Sequence, residues 1–166
     1  MSRAHSDSII GDGPETEIFM RKAIQLAEHA KTNGNHPFGA ILALDRKVLL
    51  RAENTVNRTH NFTHHAEFNL MNALPNLNLS PEDIARCTVY TSCEPCAMCS
   101  GAIYWGGVRH VVYGLPCETL GQMAGDDLLI PCRTIFSAAK KSPVQVEGPI
   151  LEDEARMPHI GFWKKP

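Results

Sequence analysis

Two short runs carry the chemistry of this chain. His65-Ala66-Glu67 sets a carboxylate two residues after an imidazole, and Cys96-Ala97-Met98-Cys99 sets two thiols three residues apart. Thiols at i and i+3 share a helix face and can grip one ion. Pro95 suits the first position of that helix, where its missing N–H costs nothing. The positive end of the helix dipole there favours thiolate over thiol, as a metal ligand requires. One imidazole and two thiolates hold zinc with the fourth tetrahedral position left for water, the open pattern of a catalytic centre. His65, Cys96 and Cys99 are therefore the expected ligands of one zinc ion per subunit, with Glu67 as a proton carrier beside the water. The alternative is a closed structural site, in which Cys93 completes a Cys₃His set and Glu67 has no task.

An H-x-E run followed by P-C-x-x-C is the signature of zinc nucleobase deaminases. The chain resembles the cytidine-deaminase superfamily, and within it the guanine-deaminase branch. The resemblance is carried by Tyr90-Thr91-Ser92-Cys93-Glu94-Pro95-Cys96-Ala97-Met98-Cys99, by Gly101-Ala102-Ile103-Tyr104-Trp105, by Pro37-Phe38-Gly39-Ala40 and by Asn54, and it spans residues 15–127. It implies hydrolytic deamination of an amine-bearing nucleobase or nucleoside, guanine or guanosine first, with release of ammonia. It implies that the Asn54 amide reads the base, with Ala66 and Glu94 also against the substrate. It places an acidic pair at Gly125-Asp126-Asp127, of which Asp127 is the expected second proton carrier; a solvated loop is the competing reading. Phe38 and Trp105 are candidates to stack on the planar ring, although Trp105 could equally be core. The resemblance further implies a homodimer whose C-terminal tail, residues 150–166, closes over the partner's site with Phe162 and Trp163.

His64 departs from the branch, which has a small residue before the ligand histidine. It is either a pocket-wall residue that changes which ring fits or a loop residue. Editing of transfer-RNA adenosine and deamination of cytosine or cytidine use the same core and remain alternatives. From another class comes a zinc-stabilised binding module without turnover.

The bulk properties narrow the setting. A chain of 166 residues with 43% hydrophobic content is long enough for one domain with a real core. A formal charge of −2 and the absence of a dense Lys/Arg cluster disfavour nucleic acid as a partner and leave a small molecule. No apolar run reaches the length of a membrane span, and no signal-peptide core is visible. Six cysteines without an export signal point to reduced thiols and a cytoplasmic location.

The elements that must position these residues can be read in order. Residues 1–14 form a loose leader, and 15–166 a single domain. Phe19, Ala23, Leu26, Ala27 and Ala30 recur at helical spacing from Glu15 to Lys31. Phe38–Leu44 and Lys47–Glu53 read as a hairpin about Asp45-Arg46. A polar loop over Asn54–Thr63 leads to a helix from His65 to Leu74, and His65 and Glu67 can reach one ion only from its first turn. A loop over Pro75–Pro81, a short helix Pro81–Arg86, a strand Cys87–Thr91, the metal helix Pro95–Trp105 and a strand Val108–Tyr113 follow. Beyond Gly114, Thr134–Lys141 reads as a short helix, Val144–Glu147 as a strand, and Leu151–Phe162 as a charged helix broken by Pro158. The alternation predicts an α/β fold, a three-layer α/β/α sandwich around a mixed five-stranded sheet.

Overall fold

The computed structural model describes residues 13–163. All but the last two residues of the leader read from the sequence lie outside that range, and Pro14 already belongs to the first helix. Helix α1, Pro14–Thr32, buries Phe19, Met20, Ala23, Ala27 and Ala30 along one stripe. Its Glu15 and Glu17 sit in the first turn and His29 and Lys31 in the last, which complements the helix dipole. Strands β1, Gly39–Leu44, and β2, Lys47–Glu53, form the expected hairpin.

The segment read as a plain loop holds a one-turn helix, α2, Val56–Thr59. Helix α3, Ala66–Ala73, passes into a 3₁₀ turn at Leu74–Leu77. Helix α4, Pro81–Arg86, is capped by the Ser80 side chain, which accepts from the Asp83 N–H. Strand β3, Thr88–Cys93, leads into helix α5, Ala97–Gly106, and strand β4, His110–Leu115, into helix α6, Cys117–Ala124. The last part holds helix α7, Cys132–Phe136, strand β5, Gln145–Glu147, helix α8, Glu152–Arg156, and a 3₁₀ turn at Met157–His159.

The sheet order is β2-β1-β3-β4-β5. β1 is antiparallel to both neighbours, while β3, β4 and β5 run parallel, so the sheet is mixed as expected. The period-2 alternation of β1 sorts its side chains between two cores. Ala40 and Leu42 pack with Leu70, Val89, Ile103 and Val111 under α3, α5 and α7. Ile41 and Ala43 pack with Phe19, Met20 and Ala23 of α1 on the opposite face. The result is the three-layer α/β/α sandwich read from the sequence. Gly39 lets α1 pack directly on the sheet: a Cβ there would lie 2.4 Å from Ala23 O and 2.5 Å from Ala27 N. The C-terminal ends of β3 and β4, together with the starts of α3 and α5, converge at one end of the sheet, where parallel α/β folds place their ligands.

Candidate active site

The three expected ligands come together at two helix N-termini. His65 is the N-cap of α3 (φ −66°, ψ 158°), and Cys96 is the N-cap of α5 (φ −66°, ψ 174°). Pro95 therefore precedes α5 rather than opening it. The extended backbone of an N-cap residue turns the Cys96 side chain toward His65, while Cys99 follows as the third helical residue. The His65 Nδ1 lies 3.6 Å from Cys96 Sγ and 3.7 Å from Cys99 Sγ, and the three ligand atoms all fall within 4.8 Å of one another. Zinc bonds of ~2.3 Å to sulfur and ~2.05 Å to nitrogen at the tetrahedral angle set N and S about 3.6 Å apart. The donors thus fit a zinc ion. A hydrogen bond from the Cys99 thiol, opposed by burial, and a further bond from His65 push the Cys96 thiol down to about 4, whereas Cys99 is driven far up. Cys93 is buried and stands outside this group, so the closed Cys₃His set is not assembled among the described residues.

Glu67 sits in the first turn of α3 and is 5% exposed, yet it lines the same cavity as His65 and Cys96. Burial, and then the nearby Cys96 sulfur, raise its carboxyl above the ordinary range. Thr91 on β3 places its hydroxyl 2.7 Å from Glu67 Oε1 and 3.0 Å from Cys93 O. One hydroxyl proton serves two acceptors. Thr91 can donate to an ionised Glu67, or accept from a protonated one while donating to the Cys93 carbonyl.

The cavity encloses about 350 Å³. His36 and Phe38, from the α1–β1 connection, form one wall; Leu120 and Ala124 of α6, with Gly125 and Asp126, form another; and Trp163 comes from the tail. No Lys or Arg lines it among the described residues. Glu94 lines it too, but both of its oxygens are engaged: Oε2 accepts from Cys117 N at 2.9 Å and Oε1 from Cys132 N at 2.8 Å. These are the first residues of α6 and α7, whose N-caps are Pro116 and Pro131 and offer no side-chain cap. One carboxylate caps both helices, so Glu94 clamps α6 and α7 from its place on the cavity wall.

Phe38 lines the cavity, and several other candidates do not. Trp105 is 84% exposed at the far end of α5, against Tyr104, and does not line the cavity. Ala66 is fully buried in the core under the sheet. Asp126, not Asp127, lines the cavity, and its Oδ1 accepts from Asp127 N and Leu128 N to close the turn. Asn54 is buried at the end of β2, with its N–H on Phe38 O and its Oδ1 accepting from Val56 N.

His64 turns into its own loop. Thr59 Oγ1, which donates to Thr55 O, receives the His64 Nδ1 proton at 2.8 Å, and Asn61 Nδ2 donates to His64 Nε2 at 3.1 Å. The imidazole thereby fixes the loop that delivers His65 and is not a pocket wall. Phe162 does not line the cavity but packs its ring on His36 and Trp163. Trp163, expected over a partner's site, lines the cavity within the single chain. Sequence reasoning missed His36 and the α6 wall as cavity residues and chose Asp127 over its neighbour Asp126; His159, which holds Trp163, also escaped it.

Comparison with known proteins agrees with this geometry. The "Probable cytosine deaminase" of Schizosaccharomyces pombe is 42% identical over 151 residues, 87% of this chain and 90% of the relative. The structure of guanine deaminase from Bacillus subtilis superposes with a TM-score of 0.61 at 34% identity, over 67% of this chain and 71% of that one. Guanine deaminase from Nitrosomonas europaea shares the fold, with a TM-score of 0.75 over 96% of this chain and 97% of that one, at 21% identity. The family model for the cytidine and deoxycytidylate deaminase zinc-binding region matches residues 14–115, which contain all three ligands, Glu67 and Thr91. The chain belongs to the cytidine and deoxycytidylate deaminase zinc-binding family of hydrolytic deaminases.

Proposed function

We propose that the chain removes the amine from a free, uncharged nucleobase by hydrolysis, with Glu67 as the proton carrier. The observation that carries this reading is the opening of the buried Glu67 carboxylate into the cavity that His65 and Cys96 also face. When bound, zinc supplies a water whose pKa is lowered toward about 7. Glu67 would carry the first proton of the attacking water to a ring nitrogen and then the proton of the hydroxyl added at the ring carbon to the amine, which leaves as ammonia. Thr91 keeps Glu67 hydrogen-bonded in either state.

Phe38 and Trp163 offer aromatic faces to a planar ring. Asp126, which lines the cavity, is the polar group assigned to the ring edge in the place expected for Asp127; Asn54 lies outside the lining residues, and its proposed contact with the ring falls to its Nδ2. Among the described residues no Lys or Arg lines the cavity to pair with a phosphate, which favours a neutral base over nucleotides and RNA. Cytosine stands first, because the relative of that name is aligned over most of both chains. A purine, guanine first, is the second reading, favoured by the similarity to the Bacillus subtilis enzyme.

A cytoplasmic homodimer belongs to the same proposal. Six unpaired cysteines suit a reducing compartment, and equilibrium sedimentation checks the assembly. Ammonia release from cytosine, isocytosine, guanine, adenine, guanosine and cytidine tests the substrate. Glu67→Gln should keep its zinc and lose at least ~10²–10⁴-fold in turnover; full activity in that variant overturns the mechanism.

A further inference from the structure

The tail wall hangs on one side chain. The Trp163 Nε1–H donates to His159 Nδ1 at 3.1 Å, and the two rings lie near-parallel at 13° with centroids 6.0 Å apart. Phe38 meets the His159 ring edge-on at 5.3 Å and the Trp163 ring at 6.2 Å. His36 approaches the same indole at 5.6 Å. Gly161, at φ +73°, supplies the left-handed turn after Ile160 that brings Phe162 N back to His159 O and folds Trp163 over residue 159.

We infer that His159 is the positioning residue that fixes Trp163 as the cavity wall and so sets how tightly the substrate ring is held. His159 is 1% exposed, and its Nε2 is buried without a partner among the described residues. An unpaired buried polar atom is costly, and an apolar ring of similar size would remove that cost. The imidazole therefore has its use at the other nitrogen, where it is the one acceptor that the indole N–H has among the described residues. Accepting at Nδ1 places the ring proton on Nε2 and leaves the imidazole neutral. Burial acts in the same direction, lowering the His159 pKa to about 4.

His159 does not line the cavity, so it acts through Trp163 and not on the ring itself. Its influence falls on binding: losing an ordered aromatic platform weakens ring stacking about equally in the ground and transition states, which raises KM and spares kcat.

The inference rests on the proposed deamination for its kinetic arm and not for its spectroscopic one. The protein has two tryptophans, and Trp105 is exposed and away from the cavity. In zinc-loaded protein carrying Trp105→Phe, Trp163 is then the sole indole reporter. His159→Phe should red-shift its emission and increase its quenching by acrylamide. His159→Asn, whose Oδ1 can occupy the Nδ1 position, should restore both. On the best ring of the substrate panel, His159→Phe should raise KM by ~10-fold with kcat within about threefold.

Trp163→Phe should raise KM to a similar degree, and the double variant should add little to either single one. Unchanged emission and quenching in His159→Phe, or an Asn variant that behaves like the Phe variant, overturns the inference, as does additivity of the two substitutions. If His159→Phe fails to fold, Trp163→Phe and His159→Asn still decide: a wild-type KM in the first, or a loosened indole in the second, overturns it. Absence of any deamination would sink the functional reading, while the emission series would still decide the role of His159.

Discussion

Thr91 and Glu67 are joined by a buried 2.7 Å hydrogen bond that links β3 to the first turn of α3. The bond unites a strand of the sheet with a buried carboxylate that lines the same cavity as His65 and Cys96. Glu67 is thus aimed by a second element, and not by its own helix alone.

Replacing Thr91 by Val keeps the shape and removes the hydroxyl. A hydrogen bond to a charged group is worth ~1.5–3 kcal/mol, so kcat should fall by roughly 10–100-fold with zinc content unchanged. Thr91→Ser should recover most of the loss. Steady-state kinetics beside metal analysis of the same samples decides it.

Glu94→Gln tests the clamp on α6 and α7. An amide presents one oxygen and one N–H₂ group, so one of the amides of Cys117 and Cys132 loses its acceptor and meets a donor instead. The cost should be ~1–3 kcal/mol, lowering the thermal midpoint by several degrees, about 2–4 °C per kcal/mol for a chain of this size. Zinc should stay bound, since no ligand moves. Calorimetry of the zinc-loaded protein measures the shift.

Burial, with some help from Lys31, lowers His159 from the ordinary 6.5 to about 4 in the folded state. The unfolded chain therefore binds the extra proton between those two values, so stability is full above pH 6.5 and declines as the pH falls toward 4. The interval is worth about 3 kcal/mol at ~1.36 kcal/mol per pKa unit. His159→Asn has no such proton, and its stability should drop less over the same interval. Urea titrations of both proteins from pH 7 to pH 4.5 reveal the difference.

Chelation separates a catalytic from a structural ion. α3 and α5 pack into a continuous core with Leu70, Val89 and Ile103, so removing zinc should abolish turnover while far-UV circular dichroism stays close to that of the loaded protein. Unfolding on chelation would instead assign the ion a structural role.

The ligands could be read from the chain because their spacing is local. An N-cap histidine with a carboxylate two residues on, and two thiols three apart, fix their geometry within a single helical turn each. Trp105 could have been placed by the same rule. At 100° per residue it lies about 200° round the helix from Ile103, which is buried, so it had to face outward.

Helix α6 was hidden by Gly121, which weakens a helical reading. In the fold that glycine lets Leu129 pack where a Cβ would come within 2.4 Å. Asp126 and Asp127 are told apart only by the turn they build, which no spacing encodes. The pairing of His36 and Phe38 with Trp163 joins the start of the sheet to the end of the chain, and nothing local to either segment signals it.

The anchoring of α6 and α7 by Glu94 divides labour along the chain. The metal-ligand set, Glu67 and the walls His36 and Phe38 all precede Leu115, whereas Leu120, Ala124, Asp126 and Trp163, which close the cavity from the other side, all follow it. That second side can drift while the first is left intact, and a segment transplanted from a relative should carry part of its ring preference with it. Such a graft has one junction requirement: it must offer the Glu94 carboxylate two main-chain amides at the positions of Cys117 and Cys132.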